Sequence, residues 1–346
     1  MTDALQHHRT VVVIPNYNGL RFLDDCMTAI DQQTTKDFIT LVVDNGSKPE
    51  DVSWLKNWQS QDTQNRELIL NTDNLGFSGA VNQGIQWAID HDIEFTLLLN
   101  NDTKIRPDFI QALESRMDRD KNKRIFALSS KMIKMHDNTI MDDAGDQYTV
   151  LGWQFQRALD ESSSLLRWSQ EADVFSACAG AAMYRTEAFA KVGLFDLQHF
   201  AYLEDLDLCF RAQLYGYKVC YCPEAVVEHV GSGTSGSKYN DFKVRISARN
   251  SVYLLYKNMP AFMLLLNSLP LLTGYLIKSI FFAKKGFGRA YLDGLKEGIS
   301  KSKTLKKAKL NEVPPMRYLT IELKLIAATF EYASKLMRRY TAGARG

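Results

Sequence analysis

Two acidic stretches carry the residues whose types and spacing suit chemistry: Asn100-Asn101-Asp102, closing the apolar run Phe95-Thr96-Leu97-Leu98-Leu99, and Tyr202-Leu203-Glu204-Asp205-Leu206-Asp207. A carboxylate at the end of a buried strand can bind Mg2+ or Mn2+, which take hard oxygen ligands and share their remaining positions with phosphate and water. His229, closing Val226-Val227-Glu228, is a candidate second ligand, although a lone histidine serves equally as a structural residue. Two adjacent carboxylates in a partly apolar setting, here behind Phe200 and Tyr202, raise each other's pKa. Asp205 is the candidate general base and Glu204 the residue that orients the base or its substrate; Asp207 reads as a helix-surface or capping residue. A leaving group that departs as a metal-bound diphosphate and a hydroxyl that must lose its proton need these two tools together.

Polar clusters recur elsewhere: Asn16-Tyr17-Asn18 after residues 11–14, and Asp44-Asn45-Gly46-Ser47 after residues 40–43. Either alone is an ordinary turn or cap. Their recurrence after successive apolar runs is what suggests a ligand. The Asp44 carboxylate is placed to accept the N3-H of uracil or thymine, or else to cap the turn at Gly46. The stretch from Asn74 through Gly76 and Phe77 to Asn82 puts small residues at a helix start, where backbone approaches a diphosphate or ribose; a tight turn with close helix packing is the alternative.

The elements that must position these residues follow from periodicity. Short β-branched runs at 11–14, 40–43, 68–70 and 95–99 alternate with helical patterns at 20–33, 49–61, 79–91 and 107–118, the last with Pro107 in its first turn. This argues for βαβ units and a mostly parallel sheet, whose ligands sit beyond the carboxyl ends of the strands. Residues 125–175, with Asp142-Asp143-Ala144-Gly145, read as strands and loops forming one cleft wall. A strand and helix at 181–192, a helix at 205–215, strands at 219–221 and 226–229 and a Gly/Ser loop at 231–236 complete the first module.

Past residue 238 the character changes. A helix at 245–258 is followed by the apolar run 261–282, broken by Asn267, Pro270 and Gly274. From Lys278 to Lys309 there are ten Lys/Arg against Asp293 and Glu297, which leaves 32 basic and 38 acidic residues elsewhere. Spanning needs about 20 apolar residues, so an interfacial element on an anionic leaflet fits better than a spanning helix. The alternative is a helical pair packed on the core or on a second subunit. These basic residues follow an apolar segment and lack interleaved aromatics across a sheet face, which argues against nucleic-acid binding. The first apolar run is too short for a signal peptide, and five scattered cysteines fit reduced cytosolic thiols.

Taken jointly, Val13-Ile14-Pro15-Asn16-Tyr17-Asn18, Val43 to Ser47, Asn74 to Asn82, Leu99 to Asp102, Gly180-Ala181-Ala182, Glu204 to Asp207, and His229 with the Gly/Ser loop behind it resemble the family 2 inverting glycosyltransferases, in particular their bacterial rhamnosyltransferase-like branch. The resemblance covers residues 10–257. It implies a GT-A nucleotide-diphospho-sugar transferase fold over residues 1–237; the apolar and basic composition of residues 238–346 reads as a helical membrane-associating region. The resemblance also implies that Pro15, Tyr17, Asn18, Asp44, Asn74, Gly76, Phe77, Asn82 and Asn101 hold the donor nucleotide, that Asp102 and His229 hold a divalent cation, and that Asp205 and Glu204 are catalytic. Asn100 stands where the family's metal motif begins with aspartate. Arg249 and Lys257 lie between module and tail, where a lipid diphosphate is expected, and Arg suits phosphate oxygens. The implied reaction moves a sugar, L-rhamnose from dTDP-β-L-rhamnose or a sugar from a UDP donor, to a polyprenyl-diphosphate-linked glycan at the cytoplasmic face of the plasma membrane. An inactive scaffold of the same fold is the other reading.

Overall fold

The computed structural model describes residues 8–231 and 239–343, with side chains described to 338. The chain begins with β1 (Thr10–Asn16), α1 (Leu20–Asp31), β2 (Phe38–Asn45), α2 (Pro49–Ser60), β3 (Arg66–Asn71), α3 (Gly76–Asp90) and β4 (Phe95–Leu99). β1, β2 and β4 are buried along nearly their whole length, which is why they read as continuous Val/Ile/Leu runs. Alternate residues feed two cores. Val11 and Val13 pack with Ala80, Val81 and Ile85 of α3, while Val12 and Ile14 pack with Leu23 and Met27 of α1 and Leu55 of α2.

Next come β5 (Thr103–Ile105), α4 (Phe109–Arg119), β6 (Ile125–Lys134), β7 (Asp137–Asp143), β8 (Asp146–Tyr148), β9 (Gln154–Gln156), β10 (Ala172–Asp173), β11 (Ala181–Arg185), α5 (Phe189–Val192), α6 (Glu204–Leu214) and β12 (Lys218–His229). The main sheet runs β3-β2-β1-β4-β11-β6-β12-β10, with β5 on β12 and β7 on β6, and β8 pairs with β9 apart from it. Only β3-β2-β1-β4 and β6-β12 are parallel. β11 is antiparallel to both neighbours. The sheet is therefore mixed rather than mostly parallel, because β11 inserts between the two parallel sets.

Three local expectations change. β6 is a central, largely buried strand rather than part of a cleft wall. The strands expected at 219–221 and 226–229 are one strand, β12, whose register shifts between Cys222 and Val226, where Pro223 has no N–H to give a ladder. α4 begins at Phe109 with Asp108 as its cap; Pro107 lies before it, its carbonyl accepting from Thr34 N. The 237/238 boundary and most of the Gly/Ser loop lie outside the described residues.

The C-terminal region comprises α7 (Asp241–Asn258), α8 (Ala261–Leu266), α9 (Ser268–Lys284), α10 (Gly288–Lys301) and α11 (Pro315–Gly343). The run 261–282 is thus two helices, broken at Asn267, whose amide donates to the Met263 carbonyl and to Glu322 Oε2. A third core joins this region to α6: Leu206, Phe210 and Leu214 pack with Leu254, Leu271, Ile321 and Leu325. The opposite faces stay exposed, with Leu269, Leu272, Leu276 and Ile280 on α9 and Met316, Leu319, Leu323, Ile326 and Phe330 on α11. Among the described residues, no helix is long and apolar enough to cross a membrane. All five cysteines are unpaired and four are buried.

α3 lies close against β1: a Cβ on Gly84 would fall 2.2 Å from Val13 Cγ1. Gly84→Ala should therefore cost about 1–3 kcal/mol of stability, read as a lower urea midpoint at unchanged slope. An unchanged midpoint would mean that α3 shifts freely on the sheet.

Candidate active site

The strand order reverses at β1, and the crevice expected at such a point is present: a cleft of about 660 Å3. Pro15, Asn16 and Tyr17 at the end of β1, Asn45 at the end of β2, Asn74, Gly76 and Phe77 before and within α3, and Asn100, Asn101 and Asp102 after β4 all line it. Amide side chains tie these ends together. Asn16 Nδ2 donates to Asp44 Oδ1 (2.8 Å), and Asn101 Nδ2 donates to Asn16 Oδ1 (2.7 Å). Asn45 Nδ2 donates to Asn74 Oδ1 (3.0 Å) and to the Gly76 carbonyl (3.1 Å), while Asn45 Oδ1 accepts from Leu75 N (3.0 Å). Gly76 is required here: its φ is 75°, and a Cβ would lie 2.5 Å from the Phe200 ring.

Three expected nucleotide contacts are placed otherwise. Asp44 is wholly buried, with Oδ1 accepting from Asn16 and Oδ2 from Ser47 N (3.1 Å), so it braces the strand ends while Asn45 reaches the cleft. Asn18 closes the turn: its amide N donates to Ser47 Oγ and its Oδ1 accepts from Lys48 N. Asn82 exchanges hydrogen bonds with the backbone N–H and carbonyl of Phe195.

At the end of β12, His229 Nε2 lies 3.4 Å from Asp102 Oδ1, and His229 Nδ1 lies 2.7 Å from Asp142 Oδ2. Burial pushes the His229 imidazole down, but the two carboxylates outweigh it and raise its pKa to about 10. The donor set fits a divalent cation in part. One carboxylate and one imidazole, the latter oriented through its other nitrogen by Asp142, form a pattern common at metal sites. Among the described residues, no group of three or more His, Cys, Asp or Glu could hold a metal, so a cation at Asp102 and His229 would need further oxygen ligands such as diphosphate and water.

Across the cleft, residues 200–205 line the opposite wall. Phe200, Tyr202 and Leu203 all have positive φ, at 63°, 69° and 65°, a conformation non-glycine residues adopt only when held. α7 holds them. Asn250 Nδ2 lies 3.0, 2.9 and 2.7 Å from the carbonyls of His199, Ala201 and Tyr202, and Arg249 donates to the carbonyls of Gln198 and His199. Lys257 Nζ sits 2.6 Å from Asp196 and 2.8 Å from Asp207. Arg249 and Lys257, expected to meet an acceptor phosphate, are thus spent on positioning this wall, and neither lines the cleft. Asp207 is not a surface residue: it is fully buried, and Lys257, Arg211 and Asn258 all bond it.

The two carboxylates of the pair respond differently. Burial raises Asp205 to about 6, against hydrogen bonds from the Leu206 and Ala179 amides. Burial, and then the neighbouring Asp205 charge, raise Glu204 to about 8. Asp205 is thus the more acidic member of the pair and ionises first, while Glu204 holds its proton longer. Asp205 and Asp102 line one cleft, an arrangement suited to deprotonating a hydroxyl beside a departing diphosphate.

Residues 11–193, more than half of the chain, match the Glycosyl transferase family 2 profile. The chain belongs to glycosyl transferase family 2. As a glycosyltransferase of this family it is 24% identical over 282 residues to the low-salt glycan biosynthesis hexosyltransferase Agl10 of Haloferax volcanii, covering 79% of this chain and 85% of that protein. Its mixed α/β architecture is GT-A-like. It is similar to GalNAc-T7 solved with UDP, GalNAc and Mn2+ (TM-score 0.59, 14% identity, 88% of this chain and 56% of that one), so it spans little more than half of that protein. It is also similar to residues 1–349 of S. aureus TarS with UDP-GlcNAc (0.58, 14%, 93% and 85%). A third likeness is to the mannosyltransferase PcManGT of Pyrobaculum calidifontis with GDP-Man and Mn2+ (0.51, 15%, 85% and 86%).

Three acidic residues of this glycosyltransferase's site had no role assigned from sequence. Asp142 orients His229. Asp143, raised to about 7 by burial and by Asp142, and Asp146, raised by burial and by Asp143, both feel the charge of Asp205. The run Asp142-Asp143-Ala144-Gly145-Asp146 was the available signal, but only the pairing of β7 with β6, and of β6 with β12, brings Asp142 to His229. Asn250→Ala should destabilise the fold by about 1–3 kcal/mol, since buried carbonyls lose their donor. It should also speed amide hydrogen exchange within residues 199–206; unaltered exchange there would remove Asn250 as the clamp.

Proposed function

We propose that the enzyme is an inverting glycosyltransferase that moves L-rhamnose from dTDP-β-L-rhamnose to a hydroxyl of a polyprenyl-diphosphate-linked cell-surface glycan. The observation that carries the mechanism is that Asp102 and Asp205, from distant stretches of sequence, line one cleft. Asp205 accepts the proton of the acceptor hydroxyl as that oxygen attacks the anomeric carbon from the face opposite the diphosphate. A single displacement inverts the centre, so a β-rhamnosyl donor gives an α-linkage. Protonated Glu204 stays neutral beside the base and leaves Asp205 as the carboxylate that ionises first. Asp102 and His229 would hold a Mg2+ or Mn2+ ion, which supplies positive charge for the departing nucleotide diphosphate. The second reading keeps this mechanism with a UDP-sugar donor, favoured by the likeness to structures solved with UDP and UDP-GlcNAc.

Nucleotide release tests these assignments. Release with dTDP-rhamnose supports the first donor; release only with UDP-glucose, UDP-galactofuranose or UDP-N-acetylglucosamine replaces it. Asp205→Asn should lower turnover by about 10²–10⁴-fold, whereas Glu204→Gln, which mimics the protonated form already present, should cost far less. Because burial raises the base to about 6, turnover should rise as pH rises through that value and fall below it. A flat profile from pH 5 to 8 would remove Asp205 from this role. Asp142→Asn should weaken Mn2+ binding by about 10–100-fold by freeing the His229 ring.

We further propose that the enzyme sits on the cytoplasmic face of the plasma membrane as a peripheral or monotopic protein. The exposed apolar rows on α9 and α11, beside the lysine-rich stretch from Lys278 to Lys309, support this placement. Each Lys or Arg near an anionic surface contributes about 1 kcal/mol. The double substitution Leu272→Glu, Leu276→Glu alters only exposed positions and should release the protein from phosphatidylglycerol vesicles in flotation. Undiminished flotation would refute this face as the anchor.

A further inference from the structure

Behind the wall that carries Glu204 and Asp205 lies a second, larger cavity of about 1100 Å3 that the transfer reaction does not use. Asp196 and Gln198 line it, whereas residues 200–205 line the cleft, so one short segment separates the two spaces. The inner end is electrically balanced. Lys257 lies between Asp196 and Asp207, and Arg211 bonds Asp207.

The mouth is not balanced. Lys191 from α5, Lys306, Lys307 and Lys309 from the segment after α10, and Arg317 from α11 converge on it, with Glu312 the one carboxylate among them, 3.3 Å from Lys309. Lys307 lies over the Tyr256 ring at 4.1 Å and Lys191 donates to the Tyr215 carbonyl at 3.3 Å, so neither is neutralised. Among the described residues, Lys306 and Arg317 pair with no carboxylate. A basic run on an open helix would spread its charges into solvent. Here three separate parts of the chain bring them around a concavity, where low-dielectric walls strengthen the field and like charges repel until an anion enters. A guanidinium fork with several ammonium groups matches the oxygens of a diphosphate.

We propose that this cavity is a second anion site, binding a molecule through a diphosphate group. The inference is independent of the donor and acceptor assigned above, and its test needs no sugar. Full-length protein is titrated calorimetrically with inorganic pyrophosphate. Binding should be present, should weaken at higher ionic strength, and should fall on the order of tenfold or more in the exposed double variant Lys306→Ala, Arg317→Ala. It should persist in Asp102→Asn, which alters the cleft instead. No binding to the unaltered protein, equal binding to the double variant, or loss only in Asp102→Asn would overturn the proposal. Competition by phosphatidylcholine vesicles carrying farnesyl diphosphate but not by phosphatidylcholine vesicles alone would assign the site to a lipid diphosphate; pyrophosphate binding indifferent to both would assign it to a soluble diphosphate.

Discussion

The clamp of α7 on residues 196–205 is the constraint from which the site follows. This segment runs through three non-glycine residues in left-handed backbone, each of which costs free energy in isolation. Asn250 and Arg249 bond its carbonyls, and Lys257 bonds carboxylates at both its ends, Asp196 before it and Asp207 after it. A fully buried Asp207 is tolerable only because two cations and an amide surround it; removing one partner of such a buried pair costs about 3–5 kcal/mol. The first carboxylates of α6 thereby line the same cleft as the ends of β1 and β4.

Within one turn of α6 the same functional group is driven in opposite directions. Burial without a cation raises Glu204 and Asp205. Burial also acts on Asp207 and Asp196, but Lys257 and, for Asp207, Arg211 more than offset it and hold both carboxyls below their ordinary range. Environment rather than residue type thus separates a proton acceptor from a structural anion. The same logic holds at His229, where two flanking carboxylates outweigh burial and raise the imidazole's pKa, so that a cation binding there would have to displace its proton.

The C-terminal helices are part of this arrangement. Their inner faces complete the core around Leu206, Phe210 and Leu214, so the elements that carry the exposed apolar rows also support the helix that carries the base. Asn267 and Glu322 fasten α8 and α9 to α11 at a buried hydrogen bond, leaving the outward rows of the two helices without a protein partner among the described residues.

The alternating pattern of β1 to β4, the carboxylates at Asp102 and Asp205, the glycine turn at Gly76 and the apolar, basic character of the tail were all legible in the sequence. They are local: periodicity, turn chemistry and charge need only neighbours along the chain to be read. What the sequence could not specify was pairing at a distance. β11 slips antiparallel between two parallel sets, Asp44 turns from ligand to brace, Lys257 is drawn to Asp207, and Asp142 meets His229. Each of these depends on which partners the folded chain brings within a few ångströms. Hydrogen bonds and ion pairs act only at that range, so the roles of these polar residues were decided by tertiary structure.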